Sequence, residues 1–200
     1  MHSVPSLPNN NDNTVGSQIN SLTESFTLVS YNLHGYNQGL PVLQHLSTLQ
    51  DPPSIIFTQE CWLTPDNMFK INNFSQIYSS FGKSAMDKAI CSGILRVRRF
   101  GGVTTLVRSD LCKYLTFSKF SDRFVLLIVK NLVLINVYLP SVSNNEDECR
   151  LIEVLTELQE EVKTAILTVT NPVIIFGGDF TSDFKSKSKS SVLLSKLRDQ

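Results

Sequence analysis

The chain has 200 residues, with 18 Lys+Arg against 18 Asp+Glu and a hydrophobic fraction of 42%. A chain of that size buries a core without disulfides or a structural metal, and zero formal net charge excludes a broad basic face, so any phosphate-binding site has to be local. The opening residues lack the basic start and apolar run of a signal peptide, and no segment reaches the ~20 apolar residues that span a bilayer. This predicts an intracellular protein, nuclear or cytoplasmic, neither secreted nor embedded in a membrane. Cys61, Cys91, Cys112 and Cys149 are widely spaced, with no CxxC pair and no neighbouring His. They read as reduced, mostly buried thiols rather than a zinc or redox site.

Residues 1–24, rich in Asn, Ser and Pro, have too few large apolar side chains to offset the entropy of ordering them and are expected to form a disordered leader. From Ser25 the pattern turns strand-like. SFTLVSYN alternates before a turn cluster, and PSIIFTQE is a short apolar run closed by polar residues. Between them LPVLQHLSTLQ places Leu40, Leu43, Leu46 and Leu49 at helical spacing and is stopped by Asp51-Pro52-Pro53, giving a strand, helix, strand unit. GGVTTLVRS reads as a further strand. RFVLLIV and LVLINVYLP are joined by only Lys130-Asn131, a hairpin connection that brings antiparallel pairing into the sheet. NNEDECRLIEVLTELQEEVKTAIL is the strongest helix, with Leu151, Leu155, Leu158, Val162 and Ala165/Ile166 on one stripe and acids near its start. PVIIFGGDF, a continuous apolar run closing in two glycines and an acid, predicts a buried central strand. KSKSKSS at 185–191 reads as a solvated loop.

Four of these strands finish in a group with a chemical use: Asn32, Glu60, Tyr138 and Asp179. Strand ends fix a group while the adjoining loop admits substrate. Two carboxylates and an amide there suit a hard divalent cation such as Mg2+, which takes oxygen ligands and keeps several waters. Taken singly, each of them reads first as a turn former or cap.

The order and context of these residues resemble the endonuclease/exonuclease/phosphatase superfamily, and within it the apurinic-endonuclease-like domain of non-LTR retrotransposons, over about Ser25 to Phe184. LVSYNLHGYNQG is similar to the first strand with its metal- and phosphate-site Asn, here Asn32. IIFTQECWL resembles the Gln-Glu-x-Trp-Leu segment, whose Glu is here Glu60. ILRVRRFGGVTTLVRSDL resembles the retrotransposon Gly-Arg-Pro-Phe/Tyr-Gly-Gly-Val segment, with Val97 and Arg99 in place of Gly and Pro. LVLINVYLPS resembles the strand carrying the active-site Tyr, here Tyr138, and VIIFGGDF the Gly-Asp-Phe-Asn strand, here Gly178, Asp179 and Phe180.

The resemblance implies a four-layer α/β/β/α sandwich, two packed mixed sheets flanked by helices, with residues 25–200 forming a partial domain that lacks its C-terminal strands. It implies metal-dependent phosphodiester hydrolysis of DNA. Mg2+ or Mn2+ would be held by Glu60 with help from Asn32, Asp179 would orient or activate water, and Tyr138 would hydrogen-bond the phosphate. Substrate contacts fall to Thr181, His34, Arg98 and Arg108, with Arg96 and Arg99 beside them; as solvated loop charges these arginines are equally well explained. The pattern also leaves room for a downstream reverse-transcriptase region in a longer polyprotein. Two departures stand out. Thr181 occupies the place of the family's Asn, and the residues after Asp179 contain no His to complete the nucleophile-activating pair. Weak or absent endonuclease activity is therefore expected. The alternatives are a catalytically dead binding or interaction module, or a lipid or nucleotide phosphodiesterase of the same superfamily.

Overall fold

A computed structural model describes residues 26–87, 93, 100–139 and 144–180. The leader 1–24, Cys91, Arg96, Arg98, Arg99, Thr181 and the 185–191 stretch lie outside the described residues. Two four-stranded sheets are built from β1 (Leu28–Asn32), β2 (Ile55–Gln59), β3 (Tyr78–Lys83), β4 (Val103–Arg108), β5 (Leu115–Phe120), β6 (Phe124–Val129), β7 (Leu132–Tyr138) and β8 (Val173–Asp179). The first sheet runs β1-β2-β4-β3 and the second β5-β6-β7-β8. Each contains one parallel pair, β1 with β2 and β7 with β8, and its other pairs are antiparallel.

The parallel pairs follow from what lies between their strands. Helix α1 (Tyr36–Ser47) connects β1 to β2, and α3 (Asn145–Leu167) connects β7 to β8; a one-turn helix α2 (Phe69–Asn72) precedes β3. Parallel strands need such a crossover. In β2, Ile55 and Phe57 face the second sheet, where Val125, Leu127, Val129 and Leu134 meet them. Ile56, one residue out of phase, joins Leu43 of α1 in a separate cluster. In β6 the same alternation sends Phe124, Leu126 and Ile128 to Leu151, Leu155 and Leu158 of α3. Both faces of the central strands are covered, which is why they read as continuous apolar runs. The layers are helix, sheet, sheet, helix, as expected.

The long helix agrees with the sequence to its boundaries. Asn144 caps it by accepting from the Asp147 N–H at 2.9 Å, and Glu146, Asp147 and Glu148 occupy the positive end of its dipole. The first helix starts earlier than the Leu spacing predicted. The Gly35 and Tyr36 N–H groups donate to the carbonyls of Glu60 and Cys61 at 2.9 Å each, so the loop after β2 anchors the first turn and Pro41 falls inside the helix. Leu49 lies past its end and is exposed. Two strands were missed. β3 carries Ser79, Ser80 and Gly82 and lies at a sheet edge, and β5 alternates half-buried with exposed residues. The expectation of a buried central strand at PVIIFGGDF is corrected. Among the described residues β8 is the last strand of its sheet, and Val173 and Ile174 are 48% and 47% exposed. An apolar run marks contact on both faces, not pairing along both edges. Of the described cysteines only Cys61 is buried; Cys112 is half-buried and Cys149 exposed, because it lies off the apolar stripe of α3.

Candidate active site

All four strand-end residues collect at one end of the sandwich. Parallel strands carry their C-terminal ends to the same side: Asn32 of β1 is in register with Gln59, the residue before Glu60, and Tyr138 of β7 is in register with Asp179 of β8. Open α/β sheets form ligand crevices at this end. The two sheets are joined there directly, by the Asn32 Nδ2 donating to Asp179 Oδ2 at 2.7 Å. The Asn32 Oδ1 accepts the His34 N–H at 2.9 Å.

Glu60 reaches the crevice through a break in its strand. Alternation beyond Gln59 would turn it toward the α1 layer, but its φ of 53° is left-handed, and its carboxylate accepts a hydrogen bond from the Tyr138 hydroxyl across the sheets. His34 and Trp62 also sit in the left-handed region, at φ 51° and 52°. Three non-glycine residues there, at ~1–3 kcal/mol each, form a concentration of strain of the kind found at functional sites. The loop is fixed by Trp62 N–H donating to Gly101 O at 2.9 Å and Cys61 N–H to Gly102 O at 3.3 Å, so the Gly-Gly pair braces the segment carrying Glu60. Gly178 fixes Asp179. Its φ is 133°, and a Cβ there would stand 2.0 Å from the Val137 carbonyl oxygen.

Burial, the neighbouring Glu60 charge and the hydrogen bond to Glu60 raise the Tyr138 pKa, against a lowering by Arg123. The phenol is therefore a neutral donor at physiological pH. Arg123, whose guanidinium lies 5.4 Å from the Tyr138 ring centroid and whose carbonyl accepts the Tyr138 N–H at 2.7 Å, was not singled out from the sequence. The Lys130-Asn131 hairpin held the signal, since counting back along both strands sets Arg123 opposite Tyr138.

Beneath these groups lies a buried amide pair that was also missed. Gln59 Nε2 donates to Asn136 Oδ1 at 2.7 Å and to Ser30 Oγ at 3.2 Å. Asn136 Nδ2 reaches the Thr58 and Thr104 carbonyls at 3.3 and 3.0 Å. It bolts β7 to β2 and β4 one layer below Glu60 and Tyr138. The signal was a polar residue at an inward position of two otherwise apolar strands.

Among the expected substrate contacts, His34 belongs to the site: it is 71% exposed and its Nδ1 stands 3.4 Å from Glu60 Oε2. The placement of Arg108 is corrected. β4 runs antiparallel to β2, so Arg108 lies at the far end of the sheet from Glu60, ~20 Å along the strands. There it forks onto Asp110 at 2.8 and 3.1 Å and donates to Pro52 O at 3.1 Å. Arg98 and Thr181 lie outside the described residues.

The donor set suits a hard cation. Among the described residues no three His, Cys, Asp or Glu side chains gather, which leaves no closed nitrogen or sulfur site. The Glu60 carboxylate and the Asn32 Oδ1, both against His34, offer two oxygens of the sort Mg2+ accepts while retaining water.

No family model matches the chain, and no curated protein matches it by sequence. Solved structures do match it by shape. A 3′ phosphatase, NExo, from Neisseria with a product DNA hairpin bound superposes with a TM-score of 0.64 at 16% identity, over 88% of this chain and 71% of that one. The likeness is one of fold, two packed sheets between covering helices. An AP endonuclease from Archaeoglobus fulgidus gives a TM-score of 0.60 at 13% identity over 88% and 70% of the two chains. AP endonuclease LMAP from Leishmania major gives 0.64 at 13% identity, over 87% and 66%.

Proposed function

We propose that the chain is a metal-dependent phosphodiester hydrolase acting on DNA, an endonuclease of the retrotransposon type with weak turnover. The observation that carries this is the meeting of Asn32, Glu60, Tyr138 and Asp179 at one sheet end, tied by the Asn32 to Asp179 hydrogen bond across the sandwich. The fold shared with DNA-processing enzymes points the same way.

Glu60 and Asn32 would hold the cation, Mg2+ or Mn2+. When bound, it supplies positive charge to the phosphate oxygens as they become more negative. With Glu60 engaged by the cation, the neutral Tyr138 hydroxyl would turn from it to donate to a phosphate oxygen, and Arg123 adds a cation behind it. Asp179 accepts a proton from water and is oriented by the Asn32 amide. His34 is turned to Glu60, where it contacts the scissile phosphate or its neighbour.

The test is relaxation of supercoiled plasmid with Mg2+ and with EDTA. Slow nicking that requires metal and disappears in Glu60→Gln is expected. Nicking that persists in EDTA or in Glu60→Gln would overturn the assignment. A second reading, a DNA-binding module without turnover, is favoured by Thr181 standing where the family pattern has Asn. It predicts DNA binding unchanged by Asp179→Asn and no metal-dependent nicking.

A further inference from the structure

Beside the four strand-end residues lies a cavity of about 180 Å³ lined by His34, Gly35, Tyr36, Gln38, Trp62 and Lys70, among others. It does not include Asn32, Glu60, Tyr138 or Asp179, and of the residues given a role above only His34 lines it. Pockets for whole drug-sized ligands run from ~300 Å³ upward, so this one admits a single ring system. Its walls are chosen for a flat, polar-edged ring. The Trp62 and His34 rings meet with centroids 5.1 Å apart at a 48° tilt. A Cβ on Gly35 would strike the Trp62 ring at 2.7 Å, so the indole is seated on the backbone of the first turn of α1. Both aromatic residues are held in left-handed backbone conformations, His34 in the loop after β1 and Trp62 in the loop after β2, and their rings meet between the two loops. Gln38 gives amide donors and acceptors at the edge, and Lys70, whose carbonyl accepts the Tyr36 hydroxyl at 2.9 Å, gives a positive charge.

We propose that this cavity is a nucleobase subsite: it receives one unpaired base of the nucleotide flanking the scissile phosphate, stacked on Trp62 and His34, with Lys70 near the adjoining phosphate. The proposal rests on the functional reading above, because His34 is the link between the cavity and the phosphate site: its ring packs on Trp62 while its Nδ1 faces Glu60 at 3.4 Å. Stacking on an aromatic side chain requires a base free of its own neighbours, so single-stranded or frayed DNA is favoured over intact duplex. This also reconciles a nucleic-acid substrate with zero net charge: affinity comes from a stacked base as well as from phosphate contacts.

The sequence contains one tryptophan, so its fluorescence reports on this cavity alone. The full chain is titrated in EDTA with a short oligothymidylate and, separately, with a blunt duplex of the same length, each carrying a fluorescent end label. Anisotropy gives the binding and indole emission gives the stacking. The expected result is quenching of Trp62 by the single strand and little by the duplex. Trp62→Leu weakens single-strand binding roughly tenfold or more, while Trp62→Phe recovers part of the loss. Unchanged thermal unfolding of both variants separates this from misfolding; if Trp62→Leu unfolds, the wild-type quenching and Lys70→Gln, expected to weaken single-strand binding severalfold, carry the test. Single-strand binding without quenching, equal quenching by the duplex, or no binding at all would overturn the subsite. Quenching by single strands in a protein that never nicks DNA with Mg2+ leaves the subsite standing and removes the hydrolase assignment instead.

Discussion

Replacing Asn136 with Ala tests whether the two sheets are registered by the amide pair beneath the site. The substitution takes from Gln59 Nε2 its 2.7 Å acceptor and leaves only the longer contact to Ser30 Oγ at 3.2 Å. The Thr104 carbonyl keeps the Thr58 hydroxyl at 2.8 Å, whereas the Thr58 carbonyl loses the amide contact at 3.3 Å. One buried amide left short of a partner costs about 1–3 kcal/mol, and the vacated volume adds a cavity contribution. The expected loss is about 3 kcal/mol, or a fall of roughly 6–12 °C in Tm for a domain of this size. Urea unfolding at constant m-value measures it. The double change Gln59→Leu with Asn136→Leu removes donors and acceptors together, so it is expected to lie at least ~1 kcal/mol above the sum of the single effects. A loss below about 0.5 kcal/mol for Asn136→Ala, or additivity in the cycle, would refute the role given to this pair.

Arg108→Gln is expected to leave plasmid nicking and DNA affinity unchanged while costing about 1 kcal/mol or less in urea, since its partners are Asp110 and Pro52 at the far sheet end; a tenfold drop in DNA affinity would return it to the site. Gly178→Ala should destabilise by more than 2 kcal/mol and abolish metal-dependent nicking, because its Cβ meets the Val137 carbonyl; a folded, active variant would contradict that geometry. Tyr78, buried and donating to Pro53 O at 2.7 Å, has its pKa pushed up to about 12 from 10.0. The unfolded chain then releases this proton first, so stability present below pH 10 is lost as pH rises toward 12, by roughly 2–3 kcal/mol. Tyr78→Phe should flatten that alkaline limb in urea titrations at stepped pH, and an unchanged limb would refute the assignment.

The parts of the fold legible in the sequence were those where local pattern and tertiary burial agree. The α3 stripe of Leu151, Leu155 and Leu158 faces a sheet, and β2 and β6 lie between two apolar layers, so period and composition both announce them. β3 was hidden because Ser79, Ser80 and Gly82 carry no strand propensity and owe their conformation to pairing with β4. The polar strand ends were legible as chemistry, but their convergence depended on two parallel pairs that no local pattern encodes. Arg108 misled for the same reason: it ends an evident strand, and only the antiparallel pairing with β2 carries it to the wrong end. Trp62 stood in a quoted motif without a role, because its place against Gly35 and His34 arises from three left-handed residues.

The site is the product of two similar units. In each, a strand, a covering helix and a parallel strand deliver two polar groups to one end: Asn32 and Glu60 from β1-α1-β2, Tyr138 and Asp179 from β7-α3-β8. Neither pair alone holds a cation and activates water, since the proposed metal ligands are on one sheet and the proposed base on the other. Their coupling runs through the Asn32 to Asp179 and Glu60 to Tyr138 hydrogen bonds above, and through the Gln59 to Asn136 bond below. A slip of β7 by one residue in its pairing with β6 and β8 would turn Asn136 and its inward neighbours to the opposite face. The buried amides resist such a shift more strongly than the apolar residues around them, because a slipped Leu finds another Leu whereas a slipped Asn136 loses its partners. Polar groups inside an otherwise apolar sandwich thus set the register on which the proposed chemistry depends.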